Sequence, residues 1–266
     1  MSDEDEKIKT DTTENSEETG KMSFLDHLDE LRKRLVRIAI YLAVGFVVGF
    51  YFSDDIYNFL SAPLAAKLEH VEGGSMAWTD LVAPFMTSMR VGLMASVFLT
   101  LPFTFYEVWK FISPGLYRRE KKYAIPFIVS SIVLFISGAT FCYKIALPGT
   151  INFLIDWGER FNAAKPVIKL DEYFDLITTM ILGFGAVFEM PVIVAFLSLF
   201  GLVSARFLWK KFDYALVLIV ILAAVLSPTG DAFNLMIWSA PMVALYFISI
   251  GIAAIIGARR KKKGLV

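Results

Sequence analysis

LGFGAVFEMPVIVAFLSLF, residues 182–200, runs for nineteen residues with a single charged group, Glu189. A run of about 20 apolar residues matches a hydrocarbon core roughly 30 Å thick. The rest of the chain repeats the pattern: 56% of its 266 residues are hydrophobic and 15% aromatic, with a mean hydropathy of +0.60. A soluble domain of this length has no core large enough to hide that much apolar surface. The reading is therefore an all-α, polytopic membrane protein, and Glu189 is a carboxylate set where charge is costly.

Six apolar segments follow: about 35–52, 85–109, 123–143, 174–200, 212–226 and 233–257. Their flanks are uneven. Leaving aside the first 21 residues, seventeen Lys and Arg residues lie around the start of the first, in alternate loops and after the sixth, including Arg32-Lys33-Arg34 and Arg259-Arg260-Lys261-Lys262-Lys263, against five in the other loops. This asymmetry predicts that both termini are cytoplasmic. Residues 1–21 hold eight acids and three lysines and no aromatic, a composition that predicts a disordered cytosolic tail. The expected layout is that tail, a membrane domain over 22–257, and a basic tail over 258–266. Residues 1–21 fit neither a signal peptide nor a transit peptide.

Several local features carry expectations of their own. Ser53 is placed to cap a short outer helix bearing Ile56, Phe59, Leu60 and Leu64, stopped near Pro63, and 144–173 reads as a mixed-charge loop. The fifth segment has about 13 residues between Asp213 and Ser227, roughly 20 Å of helix, short for a span. SFLDHLDELRKRL (23–35) reads as an amphipathic turn at the membrane surface, with Glu30 placed to pair with Arg34 at i+4. In FISPGLYRREKKY (111–123), Glu120 is the one acid in a basic loop. Glu189 has no cation within a turn, and Pro191 frees a backbone carbonyl beside it. Asp231 is expected to cap the last helix.

Enzyme and cofactor readings lack residues. The single cysteine, Cys142, and the two histidines, His27 and His70, form no metal-ligand spacing, and no hydrolase motif or glycine-rich phosphate loop is present. No cofactor and no nucleic-acid partner are expected.

Five strings, HLDELRKRL (27–35), SAPL (61–64), LPFTFYEVWKFISPGLYRREKK (101–122), FGAVFEMPV (184–192) and SPTGD (227–231), occur in one order on this frame. Together they resemble the TatC family, the polytopic receptors of the twin-arginine protein translocase, from residue 22 to about 257. The resemblance implies six helices in a curved cup in a bacterial inner membrane, and no enzyme activity. It implies binding of the twin-arginine signal peptides of folded cargo and export driven by the proton-motive force. TatA- and TatB-type single-span proteins, further copies of the chain and membrane lipids are the implied partners. It places signal binding on Glu30 and Glu120, an intramembrane site on Glu189 facing the concave, partly hydrated interior, and a loop aspartate on Asp231. Arg32, Phe111, Pro63 and Pro102 match further positions of weight in relatives.

The chemistry agrees. Two adjacent arginines present two planar, permanently charged forks, and carboxylates accept each by two parallel hydrogen bonds, which lysine does not offer. The chain departs from the family at Glu107, often Gln in relatives and here placed to pair with Lys110 at i+3. It departs again at Pro228-Thr229-Gly230-Asp231, one residue longer than the usual turn. The alternatives are a proton-coupled secondary transporter using Glu189, which would call for more midplane polar groups and internal symmetry, and a scaffold in which Glu30 and Glu120 are replaceable.

Overall fold

The computed structural model describes residues 24–112, 124–160, 165–227 and 229–262. Both the acidic tail and Glu120 lie outside them. Helix α1 (Phe24–Tyr51) leads into α2 (Ser53–Leu68), a short strand β1 (Ser75–Ala77) and α3 (Ala83–Ile112). Next come α4 (Ala124–Phe141), a π-helical turn (Cys142–Ala146), α5 (Leu147–Gly158) and β2 (Val167–Lys169). The chain ends in α6 (Leu170–Val187), α7 (Met190–Leu199), the six-residue α8 (Ala205–Lys210), α9 (Phe212–Leu226) and α10 (Ala232–Lys262). Among the described residues five helical stretches are long and apolar enough to cross a membrane, and α9, with 15 residues, is shorter.

Several boundaries differ from the sequence expectation, each for a backbone reason. The amphipathic turn at 23–35 is the opening of α1 itself, one unbroken helix of 28 residues. The stretch after 143 is helical to Gly158 rather than loop. There the π turn, in which the Leu147 N–H reaches back to the Cys142 carbonyl, sets Pro148 in the first turn of α5. Proline has no N–H to continue the helical ladder, and the π turn marks where the hydrogen-bond register changes just before it. Pro63 does not stop α2, and Ser53 makes no capping bond. Proline removes the N–H that would bond the Phe59 carbonyl; the Tyr143 hydroxyl donates to that oxygen at 2.6 Å, and Tyr173 donates to the neighbouring Leu60 carbonyl at 2.7 Å. Two tyrosines thus serve the carbonyls beside Pro63. Strands β1 and β2 pair in parallel, Ser75 against Val167 to Ala77 against Lys169, and join the two loops at this end of the bundle.

Packing between α1 and α3 depends on small residues. Among the described residues of α1 only Gly45 and Gly49 are buried, while Val36, Ile40, Val44 and Val47 stand more than half exposed, as a lipid-facing surface does. A Cβ on Gly49 would lie 2.6 Å from the Gly92 carbonyl oxygen and 2.9 Å from the Ala95 Cβ. In lipid, apolar side chains gain nothing by leaving one another for solvent, so close backbone approach supplies the association. The centre of the core is the stacked pair Phe184 and Trp238, ring centroids 4.1 Å apart and both fully buried.

The loop before α10 closes on a polar knot. Asp231 Oδ1 accepts the Asn234 N–H at 2.9 Å, and its Oδ2 accepts the Thr229 hydroxyl and the Asn234 side-chain amide. Asn234 in turn accepts the Thr150 hydroxyl at 2.8 Å, tying α5 to α10. Asp231 is thus the N-terminal cap of α10. Partial burial pushes its carboxyl up, but the bonds from the Thr229 hydroxyl, from Asn234 and from the Phe233 N–H outweigh it and hold it at about 2.

Two outcomes test this packing. Gly49→Ala drives a methyl into the Gly92 carbonyl and is expected to cost about 1–3 kcal/mol in detergent melts; Gly251→Ala, whose Cβ meets nothing within 4 Å, leaves the melt unchanged or raises it. Asp231→Ala is expected to cost about 1 kcal/mol as a lost cap. Because the folded carboxyl sits below its ordinary value of about 3.9, its contribution is full above pH ~4 and fades as pH falls through about 2. The melt of Asp231→Asn should lack that acid-dependent component.

Candidate functional site: a carboxylate–guanidinium seam

Where α1 begins and α3 ends, four charged residues meet. The Arg34 guanidinium donates to Glu107 Oε2 at 2.6 Å and to Glu30 Oε1 at 2.7 Å. Arg37 stands 3.6 Å from Glu107 Oε2, and the Tyr41 hydroxyl donates to Glu107 Oε1 at 3.4 Å. Glu107 is 3% exposed. The helical period explains the gathering: Glu30, Arg34, Arg37 and Tyr41 recur at spacings of three and four and so share one face of α1. Glu107 and Phe111 do the same on α3.

The Glu30–Arg34 pair expected at i+4 is present, but it is half of a bridge between helices. The Glu107–Lys110 pair is not formed. Arg34 takes Glu107 instead, because the glycine contact brings α1 within reach, and Lys110 swings back over the Tyr106 ring at 4.7 Å. Glu107 was therefore the residue that sequence reasoning misplaced; the signal available was its i+4 relation to Phe111. Phe111 itself stacks on His27, centroids 4.5 Å apart and planes 20° from parallel, which closes the seam on its outer side. Arg32 is exposed on α1.

Glu30 presents its second oxygen differently. Oε2 is shielded from solvent and has no hydrogen-bond partner. A carboxylate offers about four acceptor positions, so Glu30 holds Arg34 with one oxygen and, among the described residues, leaves the other unpartnered. Ion pairs and hydrogen bonds of this kind recognise guanidinium groups; they supply no nucleophile, and among the described residues no cluster of His, Cys, Asp and Glu could hold a metal ion.

The remaining sequence candidates lie elsewhere. Pro102 is exposed within α3. Pro63 and Asp231 belong to the opposite end of the bundle, the first beneath Tyr143 and the second as the cap of α10. Glu189 sits at the break between α6 and α7, where the backbone turns at Phe188-Glu189 and Pro191 opens α7. The Ser131 hydroxyl of α4 lies beside it, yet neither Glu189 Oε1 nor Ser131 Oγ is in hydrogen-bond geometry with any partner. An apolar hollow of about 230 Å³ opens beside Pro191, lined by Trp109, Phe127, Leu134, Phe196 and Leu199.

Known proteins match this arrangement along most of its length. The family model described as Sec-independent protein translocase protein (TatC) matches residues 26–241. The TatC of Koribacter versatilis is 39% identical over 244 residues, covering 91% of this chain and 89% of the relative. That of Escherichia coli K12 is 34% identical over 226 residues, covering 85% and 86%. A crystal structure described as the twin-arginine translocase receptor TatC superposes with a TM-score of 0.76 at 30% identity, covering 86% of this chain and 99% of that one. Sequence and architecture together place the chain in the TatC family of Sec-independent protein translocase components.

Proposed function

We propose that this chain is the signal-recognising subunit of a twin-arginine translocase, with six spans and both termini in the cytoplasm of a bacterial cell. On this reading α9 is the short fifth span, and the seam of Glu30, Arg34 and Glu107 faces the cytosol. Signal arginines are received by Glu30 and Glu120, the latter on the loop that follows Phe111. The observation that carries the proposal is the shielded, unpartnered Oε2 of Glu30 beside an oxygen already engaged by a guanidinium. Arg32 keeps the approach cationic, which disfavours loosely basic peptides that lack a carboxylate-matching fork. The apolar hollow that Trp109 lines offers the apolar part of a signal a place between helices. Glu189, with an oxygen left open at the α6–α7 break, is suited to a polar group of a single-span TatA- or TatB-type partner or to water. Transport then draws on the proton-motive force.

Replacing Glu30 and Glu120 together by Gln tests the site by site-specific crosslinking in membranes to an RR and a KK signal. Loss of charge-assisted, bidentate bonds worth about 1.5–3 kcal/mol each should cut RR crosslinking by roughly tenfold or more and bring it to the KK level. Unchanged RR crosslinking would refute the assignment. In the same assay Glu189→Ala is expected to keep signal binding and lose transport; intact transport with binding lost would contradict its role.

A further inference from the structure

The acid that reads signal arginines in the proposal above already holds one. Arg34 spans Glu30 and Glu107 at 2.7 and 2.6 Å, and the two carboxylates differ in setting. The Glu30 side chain, at the opening of α1, is 17% exposed, whereas Glu107 is 3% exposed and further held by Tyr41 and Arg37. Glu107 is therefore the fixed end of the bridge and Glu30 the end that can be released.

We infer that Arg34 is an internal stand-in for a signal arginine, and that Glu107 is the positioning residue that lets it yield Glu30 to an incoming guanidinium. The inference rests on the signal-binding role of Glu30. When a signal arginine arrives it replaces Arg34 at Oε1, and Oε2, shielded and unpartnered while Arg34 is in place, turns to take its second donor, so that Glu30 exchanges one guanidinium for another. Arg34 stays neutralised by Glu107. Were Glu107 uncharged, Glu30 would be the only carboxylate that Arg34 touches, and displacing it would strand a cation at the edge of the hydrocarbon. The exchange also sets a standard for specificity. A lysine ammonium is a point charge without the paired, planar donors of arginine, so it replaces Arg34 poorly, and the internal competitor suppresses KK signals more than RR signals.

The experiment compares full-length wild type, Glu107→Gln, Arg34→Gln and the double variant in nanodiscs, titrated with an RR signal peptide and its KK counterpart. Glu107→Gln is expected to weaken RR binding about tenfold. Adding Arg34→Gln should restore RR binding, because nothing then competes for Glu30, while the preference for RR over KK shrinks. Glu107→Asp, which keeps the charge, should retain most of the native affinity. A merely structural Glu107 would leave the double variant as weak as, or weaker than, the single one, and that result overturns the inference. So does RR binding unaffected by Glu107→Gln. If Glu107→Gln fails to fold by melting and gel filtration, Arg34→Lys decides: its ammonium bridges the two acids poorly, so KK binding should rise relative to RR, and an unchanged ratio sinks the idea. Glu30→Gln separates the two levels. Full RR binding in that variant removes the signal-binding reading itself, whereas loss of binding there with no effect at Glu107 removes only this inference.

Discussion

The contact of Gly49 with the Gly92 backbone is the constraint from which the rest of the seam follows. Membrane helices receive no push from water, so α1 and α3 associate only as far as their surfaces allow atoms to touch. With Gly45, Gly49 and Gly92 at the crossing, the backbones come close enough that added methyl groups would collide. Farther along the same seam, that approach puts the Arg34 guanidinium on Glu107. A charge pair there is shielded from water on one side by the opposite helix. Its two partners depend on each other, because either one alone would be a desolvated charge.

The same accounting governs the prolines. At membrane depth a freed carbonyl has no water to turn to, and three of the prolines meet this constraint in different ways. Tyr143 and Tyr173 serve the carbonyls near Pro63. A π turn shifts the hydrogen-bond register just before Pro148, and at Pro191 the helix divides into α6 and α7. The division at Pro191 also sets Glu189 beside Ser131.

The sequence made much of this legible, and what it hid has a pattern. Apolar run length revealed the five long apolar helical stretches, because hydrocarbon thickness demands such lengths, and the shortness of α9 was visible by the same count. The i+4 pairing of Glu30 with Arg34 was legible because helical geometry is local. The partner of Glu107 was not, since Lys110 at i+3 satisfies the same local rule; only the distance between α1 and α3 decides for Arg34. Pro63 read as a stop because the tyrosine hydroxyls that relieve it come from residues 143 and 173, far along the chain. Helix at 147–158 was hidden because mixed charge and proline imitate a loop, and a π turn has no sequence signature of its own. Glu120 lies outside the described residues, so its part in the site rests on the family resemblance and on its charge.

Glu107 and Glu189 show how one side-chain type serves two purposes in a membrane protein. Both are carboxylates on otherwise apolar helices. Glu107 faces two arginines and a tyrosine of the neighbouring helix, so its needs are met within the chain and its effect is to fix geometry. Among the described residues Glu189 forms no ion pair, and one of its oxygens meets no donor. A neutral Gln in place of Glu107 could satisfy Arg34 only in part, because it brings one carbonyl and no charge. With Glu there, two acids and two arginines balance across the seam. A seam that is already neutral gains little from holding its own arginine more tightly, and this is the condition under which an outside guanidinium can take its place.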